Sequence, residues 1–132
     1  MAAAYISIVG QKVLLVSREE DKFLDRHRSR AFERAGYRVS GAYSLGQGIS
    51  LALRIHPDLV ILEESFSDHE QMAFVECLHE SHPDIYVLRL GPGAISTEEL
   101  VSEGRMVMSG HPGSERVRCL KPAEHGQDFD WT

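Results

Sequence analysis

The sequence predicts an α/β fold, a three-layer α/β/α sandwich around a parallel five-stranded sheet with strand order 2-1-3-4-5. Three observations lead to this prediction. Short apolar runs without polar alternation are typical of strands covered on both faces. Amphipathic stretches of helical length separate these runs, and the loops between them are short. Strands and helices that alternate in this way form parallel βαβ units, joined as a rule by right-handed crossovers.

The length and composition indicate one globular domain. The chain has 132 residues, 42% of them hydrophobic and 26% charged, and a net charge of −6. The negative charge disfavours nucleic-acid binding, and no apolar run is long enough to span a membrane. No basic signal region opens the sequence, so we expect a cytoplasmic protein. We place the domain at residues 10–121 and a polar tail at residues 122–132.

The first strand and the first helix are predicted from apolar spacing. Residues 12–17 (KVLLVS) form a continuous apolar run. Residues 20–35 place apolar side chains, among them Leu24 and Phe32, at helical intervals. Gly36 stands where such a helix would end.

The middle of the chain continues the alternation. Residues 38–44 (RVSGAYS) read as a short second strand, and residues 46–56 as a second helix that ends at a His-Pro turn. Residues 58–62 (DLVIL) are the third strand. Residues 68–81 have apolar side chains at intervals of three, which predicts a third helix. Residues 85–90 (IYVLRL) are the fourth strand.

The position of the fifth strand is ambiguous. A capping box at residues 96–99 predicts a short helix that ends at residue 104. One register then makes residues 105–109 (RMVMS) the fifth strand and residues 114–121 a last short helix. The other register places the strand at residues 116–120 (RVRCL). We favour the first register because it keeps the loops short.

Charged residues follow the third strand, where the chemistry of such a fold is expected. Five alternating units in this order give a flavodoxin-like sheet. Ligands bind such sheets at the carboxyl ends of the strands. Glu63 and Glu64 follow the third strand directly and therefore lie at this edge.

Three segments make the chain resemble a CheY-like response-regulator receiver domain. They are KVLLVSREE around the first strand, FERAGYRV at the end of the first helix, and HPDLVILEE around the third strand. The resemblance covers roughly residues 11–121. It implies a domain of two-component signal transduction in bacteria. It also implies a site with an acidic pair that holds Mg²⁺, an acceptor aspartate, a Ser or Thr, and a lysine.

The sequence departs from this pattern at the metal position. The acidic pair falls on Ser17 and Arg18, and Glu19 and Glu20 are displaced beyond it. Mg²⁺ requires oxygen ligands in near-octahedral geometry, and a guanidinium would repel it. We therefore expect no metal and no cofactor.

The other positions depart as well. The acceptor aspartate falls on Glu63, and the Ser/Thr position falls on Arg89. Lys121 is followed by proline, as in the family, but it matches the family's lysine only if the fifth strand is at residues 116–120. In the favoured register the lysine is lost. Because of the departures at the acidic pair, the acceptor and the Ser/Thr position, phosphoryl transfer by the usual route is not expected in either register.

Two positive and two negative side chains meet at this edge in the predicted fold. Our hypothesis is that a guanidinium of Arg18 or Arg89 replaces the metal and pairs with Glu63, with Glu64 nearby. Two alternatives stay open. The charges are solvated remnants of a lost site, or Glu63 imitates a phosphorylated aspartate.

The predicted function is that of a pseudo-receiver, a degenerate and non-enzymatic domain that acts through contacts with a protein partner or as a homodimer. The alternative is a phosphorylatable receiver in a phosphorelay, which would use Glu19 or Glu20 for metal and Glu63 or Glu64 as acceptor. Arg26, Arg30 and Arg34 form one stripe on the first helix. This stripe is interpreted as a solvated face or as a docking edge for an acidic partner.

Overall fold

A computed structural model describes residues 10–91, 93, 95–109 and 116–120. Within these residues, five strands alternate with four α-helices. A short 3-10 turn, Glu19–Asp21, precedes the first helix. In chain order the elements are β1 (Lys12–Val16), α1 (Lys22–Arg34), β2 (Arg38–Ala42), α2 (Leu45–Ile55), β3 (Leu59–Leu62), α3 (Asp68–Ser81), β4 (Tyr86–Leu90), α4 (Thr97–Met108) and β5 (Val117–Leu120).

The sheet confirms the predicted topology. Its strand order is β2-β1-β3-β4-β5, and every pair of neighbours is parallel. The carboxyl ends of β1, β3 and β4 are level, since Val16 lies opposite Leu62, and Leu62 lies opposite Arg89. The residues that follow these strands therefore meet at one edge of the sheet.

The two faces of the sheet are both buried, as the unbroken apolar runs predicted. Val13, Leu15, Leu59 and Ile61 point to the face covered by α1 and α4. Their neighbours along the same strands point to the face covered by α2 and α3. All of these strand side chains are fully buried: Val13, Leu14, Leu15, Val16, Leu59, Val60, Ile61 and Leu62.

The ends of three elements agree with the sequence patterns. Gly36 follows α1 with φ of 102°, a left-handed conformation that glycine adopts without strain. The Ser96 hydroxyl caps α4 by accepting the Glu99 N–H at 3.0 Å. A complete capping box, which the sequence analysis did not identify, starts α3: Ser67 and Glu70 each accept the other's backbone N–H.

The favoured position of the fifth strand, residues 105–109, is wrong. The helix α4 continues through Gly104 to Met108, and the fifth strand is Val117–Leu120, in the other register. Gly104 is a packing position in mid-helix: a Cβ there would lie 3.0 Å from a Leu59 methyl group and 3.1 Å from the Phe32 ring. The missing side chain lets α4 pack closely on β3 and α1. The last helix predicted at residues 114–121 is also wrong where it overlaps β5.

The last crossover of the chain has the opposite hand to the other three. The steps β3-to-β4 and β4-to-β5 move across the sheet in the same direction. However, α3 packs on one face and α4 on the other, against α1. Because right-handed crossovers are the rule, the connection through α4 is the left-handed one. The α2/α3 face consequently receives no helix from this connection.

The buried side of α1 differs from the predicted one at its start. Leu24, predicted to face the core, is 39% exposed. Asp25 and Arg28 are only 3% exposed and lie on the same side of the helix as the fully buried Phe32. The first turns of α1 therefore bring charge, not apolar surface, toward the sheet.

Candidate functional site

A buried ion pair occupies the position of the predicted acceptor residue. Glu63 follows β3 and is 2% exposed. Its Oε1 accepts a hydrogen bond from Nη1 of Arg28 at 2.5 Å, and both side chains are 3% exposed. The Glu63 backbone N–H donates to the Val16 carbonyl at 3.1 Å, which fixes the residue beside the end of β1. The guanidinium and the carboxylate thus fill the centre of the sheet's carboxyl edge.

The guanidinium that pairs with Glu63 comes from α1. The hypothesis of a guanidinium partner for Glu63 is correct in kind, but the predicted donors, Arg18 and Arg89, are wrong. Arg28 was missed because it stands between residues of the solvent-facing arginine stripe. Its position four residues before Phe32, on the apolar side of the helix, was the signal that could have identified it.

Two further carboxylates, those of Asp21 and Asp25, and the Tyr43 hydroxyl lie close to this pair. Burial raises the pKa of Glu63 above its ordinary value, and the nearby Asp25 and Asp21 carboxylates raise it further, while Arg28 acts in the opposite direction. Burial likewise raises the pKa of Asp25, against the lowering effects of the Tyr43 hydroxyl and Arg28. Burial is thus the main cause of the raised pKa of both the Glu63 and the Asp25 carboxyl.

Several buried polar atoms in this region have no hydrogen-bond partner among the described residues. Unpaired buried polar atoms are costly, and they are uncommon outside sites with a special role. Asp25 has one satisfied oxygen, because the Tyr43 hydroxyl donates to Oδ2 at 3.0 Å. The unpartnered atoms are Ser17 Oγ, Asp21 Oδ2, Asp25 Oδ1, Arg28 Nε and Glu63 Oε2.

The two arginines that were expected to face Glu63 bind other carboxylates. Arg18 donates to Glu70 at 2.9 Å and lies over the Phe66 ring, 4.7 Å from its centroid. Arg89 pairs with Asp68 at the start of α3. Both partners belong to the first turn of α3, so these pairs tie that helix to the ends of β1 and β4.

A buried amide joins the ends of two strands behind the ion pair. Gln71 is 2% exposed. Its amide nitrogen donates to the carbonyls of Glu63 at 3.0 Å and Leu90 at 3.2 Å. Its amide oxygen accepts from Nε of Arg89 at 3.1 Å. Gln71 was also missed, because a single glutamine in an amphipathic helix gives no signal of its burial.

The remaining predicted site residues lie farther from the centre. Glu64 is exposed, and its carboxylate accepts the Gly93 N–H at 2.9 Å. Glu19 and Glu20 lie in the exposed 3-10 turn after β1. Lys121 directly follows β5 in the sequence, as the resemblance requires, but it lies outside the described residues.

The residues at this edge do not fit a Mg²⁺ ion. The residues predicted to stand at the acidic-pair positions are a fully buried serine, Ser17, and an arginine, Arg18. The carboxylate at the acceptor position is bound by Arg28. Among the described residues, no group of three or more histidine, cysteine, aspartate or glutamate side chains is arranged to hold a metal ion. We therefore assign no step to a metal.

Comparison with known proteins shows similarity in structure only. No protein-family model and no curated protein matches the sequence. Chemotaxis protein CheY4 of Vibrio cholerae superposes with a TM-score of 0.60 at 16% identity, over 91% of this chain and 92% of that one. A CheY-like receiver domain protein of Methanospirillum hungatei gives 0.61 at 17% identity, over 91% and 87%.

A third structure extends the comparison to a two-component response regulator of the LuxR family from an Aurantimonas species. Its TM-score is 0.68 at 13% identity, over 92% of this chain and 97% of that one. Within the part of the chain that the structure describes, no helix is long and apolar enough to cross a membrane.

The five-stranded order, the helices on both faces and these superpositions give one conclusion: the chain has the fold of the CheY-like response-regulator receiver domains.

Proposed function

We propose that this chain is a degenerate receiver, a pseudo-receiver that takes part in signal transduction without being phosphorylated. The observation that carries the proposal is the buried Arg28–Glu63 pair. A phosphoryl acceptor must reach solvent, a metal ion and a phosphodonor, whereas Glu63 is 2% exposed and bound to a guanidinium at 2.5 Å. A glutamate in this arrangement is a poor nucleophile.

The same pair supports a domain held in one conformation. In a working receiver the acceptor changes charge, and the edge of the sheet responds. Here the acceptor position is neutralised from within by α1, and Gln71 links the ends of β3 and β4. Such a domain would act through protein contacts, as a bacterial cytoplasmic protein with a partner or as a homodimer, and would catalyse no reaction.

A mass measurement tests this proposal. The protein is incubated with Mg²⁺ and acetyl phosphate, then analysed intact under conditions that preserve acyl phosphates. An unchanged mass is the expected result. A gain of one phosphoryl group would contradict the proposal. Titration with Mg²⁺ and beryllofluoride, followed by thermal unfolding, is an independent check and should produce no stabilisation.

One observation favours a second candidate, a phosphorylatable receiver with a rearranged acidic site. Asp21, Asp25 and Glu63 each keep a buried carboxylate oxygen without a hydrogen-bond partner among the described residues. If Arg28 swung away, these oxygens would be the available ligands. The phosphodonor experiment distinguishes the candidates, and a label that disappears in Glu63→Gln but persists in Glu64→Gln would establish the second.

A further inference from the structure

We propose that the corner of the sheet at β5, over which the described residues place no helix, is a docking site for the residues that follow β5 in this same chain, with Phe129 and Trp131 as the docked side chains. The corner is the α2/α3 face of β4 and β5, beside a cavity at their carboxyl ends. This proposal is independent of the proposed function, since it concerns a different surface of the domain.

No helix among the described residues lies over this corner. Val117 and Cys119 lie opposite Val87 and Arg89 in the parallel register, and Val87 belongs to the core under α2 and α3. On the same face, the inner strands β1 and β3 are fully buried, whereas Cys119 is exposed.

The alternate residues of β5 confirm which face is covered. Arg118 pairs with Glu103 of α4 at 3.0 Å, and Leu120 is part of the core that α1 and α4 cover. The left-handed crossover explains the difference, because it moves α4 to that side. It leaves Val117 and Cys119 on the α2/α3 face, where Val117 packs against the edge of that core and Cys119 stays exposed.

A cavity lies at the carboxyl end of this face. It has a volume of about 380 Å³, within the range of about 300–1,000 Å³ in which pockets hold small ligands. Phe66, Leu90 and Cys119 supply its apolar surface, and Gln71 lies among its lining residues. An aromatic side chain is of suitable size and polarity for this cavity.

The residues that follow β5 in the chain begin next to this cavity, which makes them the candidate occupant. Leu120, the last residue of β5, lies opposite Leu90, and its carbonyl accepts the Gly91 N–H at 2.8 Å. Leu90 and Gly91 both line the cavity. The chain therefore leaves β5 at the edge of the cavity. Phe129 is the ninth residue after Leu120, so an extended chain could carry it about 30 Å. This reach exceeds the spacing of about 4.8 Å between neighbouring strands several times over. A tethered segment also has a high effective concentration at its site.

Residues 127–132, which lie outside the described part of the chain, have a regular sequence pattern. In QDFDWT, residues 127–132, apolar and acidic side chains alternate. In an extended conformation Phe129 and Trp131 point to one side, and Asp128 and Asp130 point to the other. The aromatic side suits the apolar part of the cavity, which Phe66, Leu90 and Cys119 form. The acidic side would face solvent, away from Glu64 and Asp68 at the cavity rim.

The only tryptophan of the chain reports directly on this docking. In the folded chain of 132 residues we expect Trp131 emission that is blue-shifted relative to the urea-unfolded chain and several-fold less sensitive to acrylamide. Emission and quenching equal to those of the unfolded chain would overturn the proposal, including the case in which the corner awaits a different protein. A shift that appears only at high chain concentration would assign the corner to a second copy and would also overturn it.

Two matched variants locate the site. Cys119→Glu puts a charge into the corner and should move Trp131 emission to its unfolded value while the far-ultraviolet circular dichroism stays unchanged. Cys77→Glu makes the same change at the other exposed cysteine, on α3, and should leave the emission as it was. Equal emission in the two variants would place Trp131 elsewhere and would contradict the proposal.

Discussion

Two kinds of arginine–carboxylate pair lie within one edge of this sheet, and they differ mainly in burial. Arg28 and Glu63 are each 3% exposed, whereas Arg18 and Glu70 are 37% and 39% exposed. Exposed pairs contribute little because water and salt already stabilise the separated charges. In a buried pair neither charge has that alternative, so the loss of one partner is costly although the pair itself adds little net stability. The degree of burial, more than the residue types, therefore decides how much stability is lost when one partner of a pair is removed.

The largest expected effect comes from removing the buried guanidinium alone. Arg28→Met leaves the Glu63 carboxylate buried and unpaired, and should lower the free energy of unfolding by about 3–5 kcal/mol. Urea denaturation measures this. Arg30→Met, on the exposed side of the same helix, is the matched control and should change stability by no more than about 0.5 kcal/mol. Similar losses in both variants would contradict the assignment of Arg28 to a buried pair.

The corresponding double variant sharpens the comparison. In Arg28→Met/Glu63→Leu both charges are replaced by apolar groups, and stability should return to near that of the wild type or exceed it. A loss equal to the sum of the two single losses would show that the pair is not coupled. The phosphodonor experiment should remain negative in this variant, since it has no carboxylate at residue 63.

The next effect is that of the buried amide. Gln71→Leu removes the donor to the Glu63 and Leu90 carbonyls, and the unsatisfied groups should cost about 1–3 kcal/mol in the free energy of unfolding. Met72→Leu changes the adjacent, partly exposed residue and should be nearly neutral. Retained wild-type stability in Gln71→Leu would show that these carbonyls find other partners.

The pH dependence of stability is a further test of the buried cluster. Because the folded-state pKa values of Glu63 and Asp25 are raised, the folded state holds protons that the unfolded state has released. This contribution to stability is fully present below the ordinary values of 4.5 and 3.8, and it is lost as pH rises through the raised values. Each proton contributes a slope of at most about 1.4 kcal/mol per pH unit.

The Glu63→Gln variant should reduce this decline. Glu70 gives a contrast, because the Ser67 backbone N–H and Arg18 lower its pKa. The stability that Glu70 contributes is fully present above its ordinary pKa of 4.5 and is lost as pH falls through the lowered pKa. Chemical denaturation across a pH series separates the contributions of Glu63 and Glu70. A wild-type free energy of unfolding that rises steadily above pH 4.5 would contradict the raised pKa values.

The smallest effect is expected at the exposed pair. Arg18→Met should cost about 0–1 kcal/mol in the free energy of unfolding, and the difference should shrink further in high salt. Urea denaturation at low and high salt measures both quantities. A loss as large as that of Arg28→Met would remove the distinction between the two kinds of pair.

The sequence by itself determined the strand order and the cover on both faces of the sheet, although not the position of β5. The apolar runs of β1 and β3 can be satisfied only by cover on both faces, and the helical spacing between them supplies that cover. The chain order then placed Glu63 at the carboxyl edge. The departures expected at Ser17, Arg18 and Arg89 rest on the same strand positions and stay predictions.

Tertiary structure decided which charges meet and which face stays open. The spacing within α1 indicates that Arg28 is buried, but that it meets Glu63 depends on how α1 packs on the sheet, which no spacing reveals. Gly104 resembled a helix end locally, but the close approach of α4 to Leu59 and Phe32 made it a contact. Local pattern fixes which side of an element is apolar. The partners of its polar residues are set by packing between elements distant in sequence.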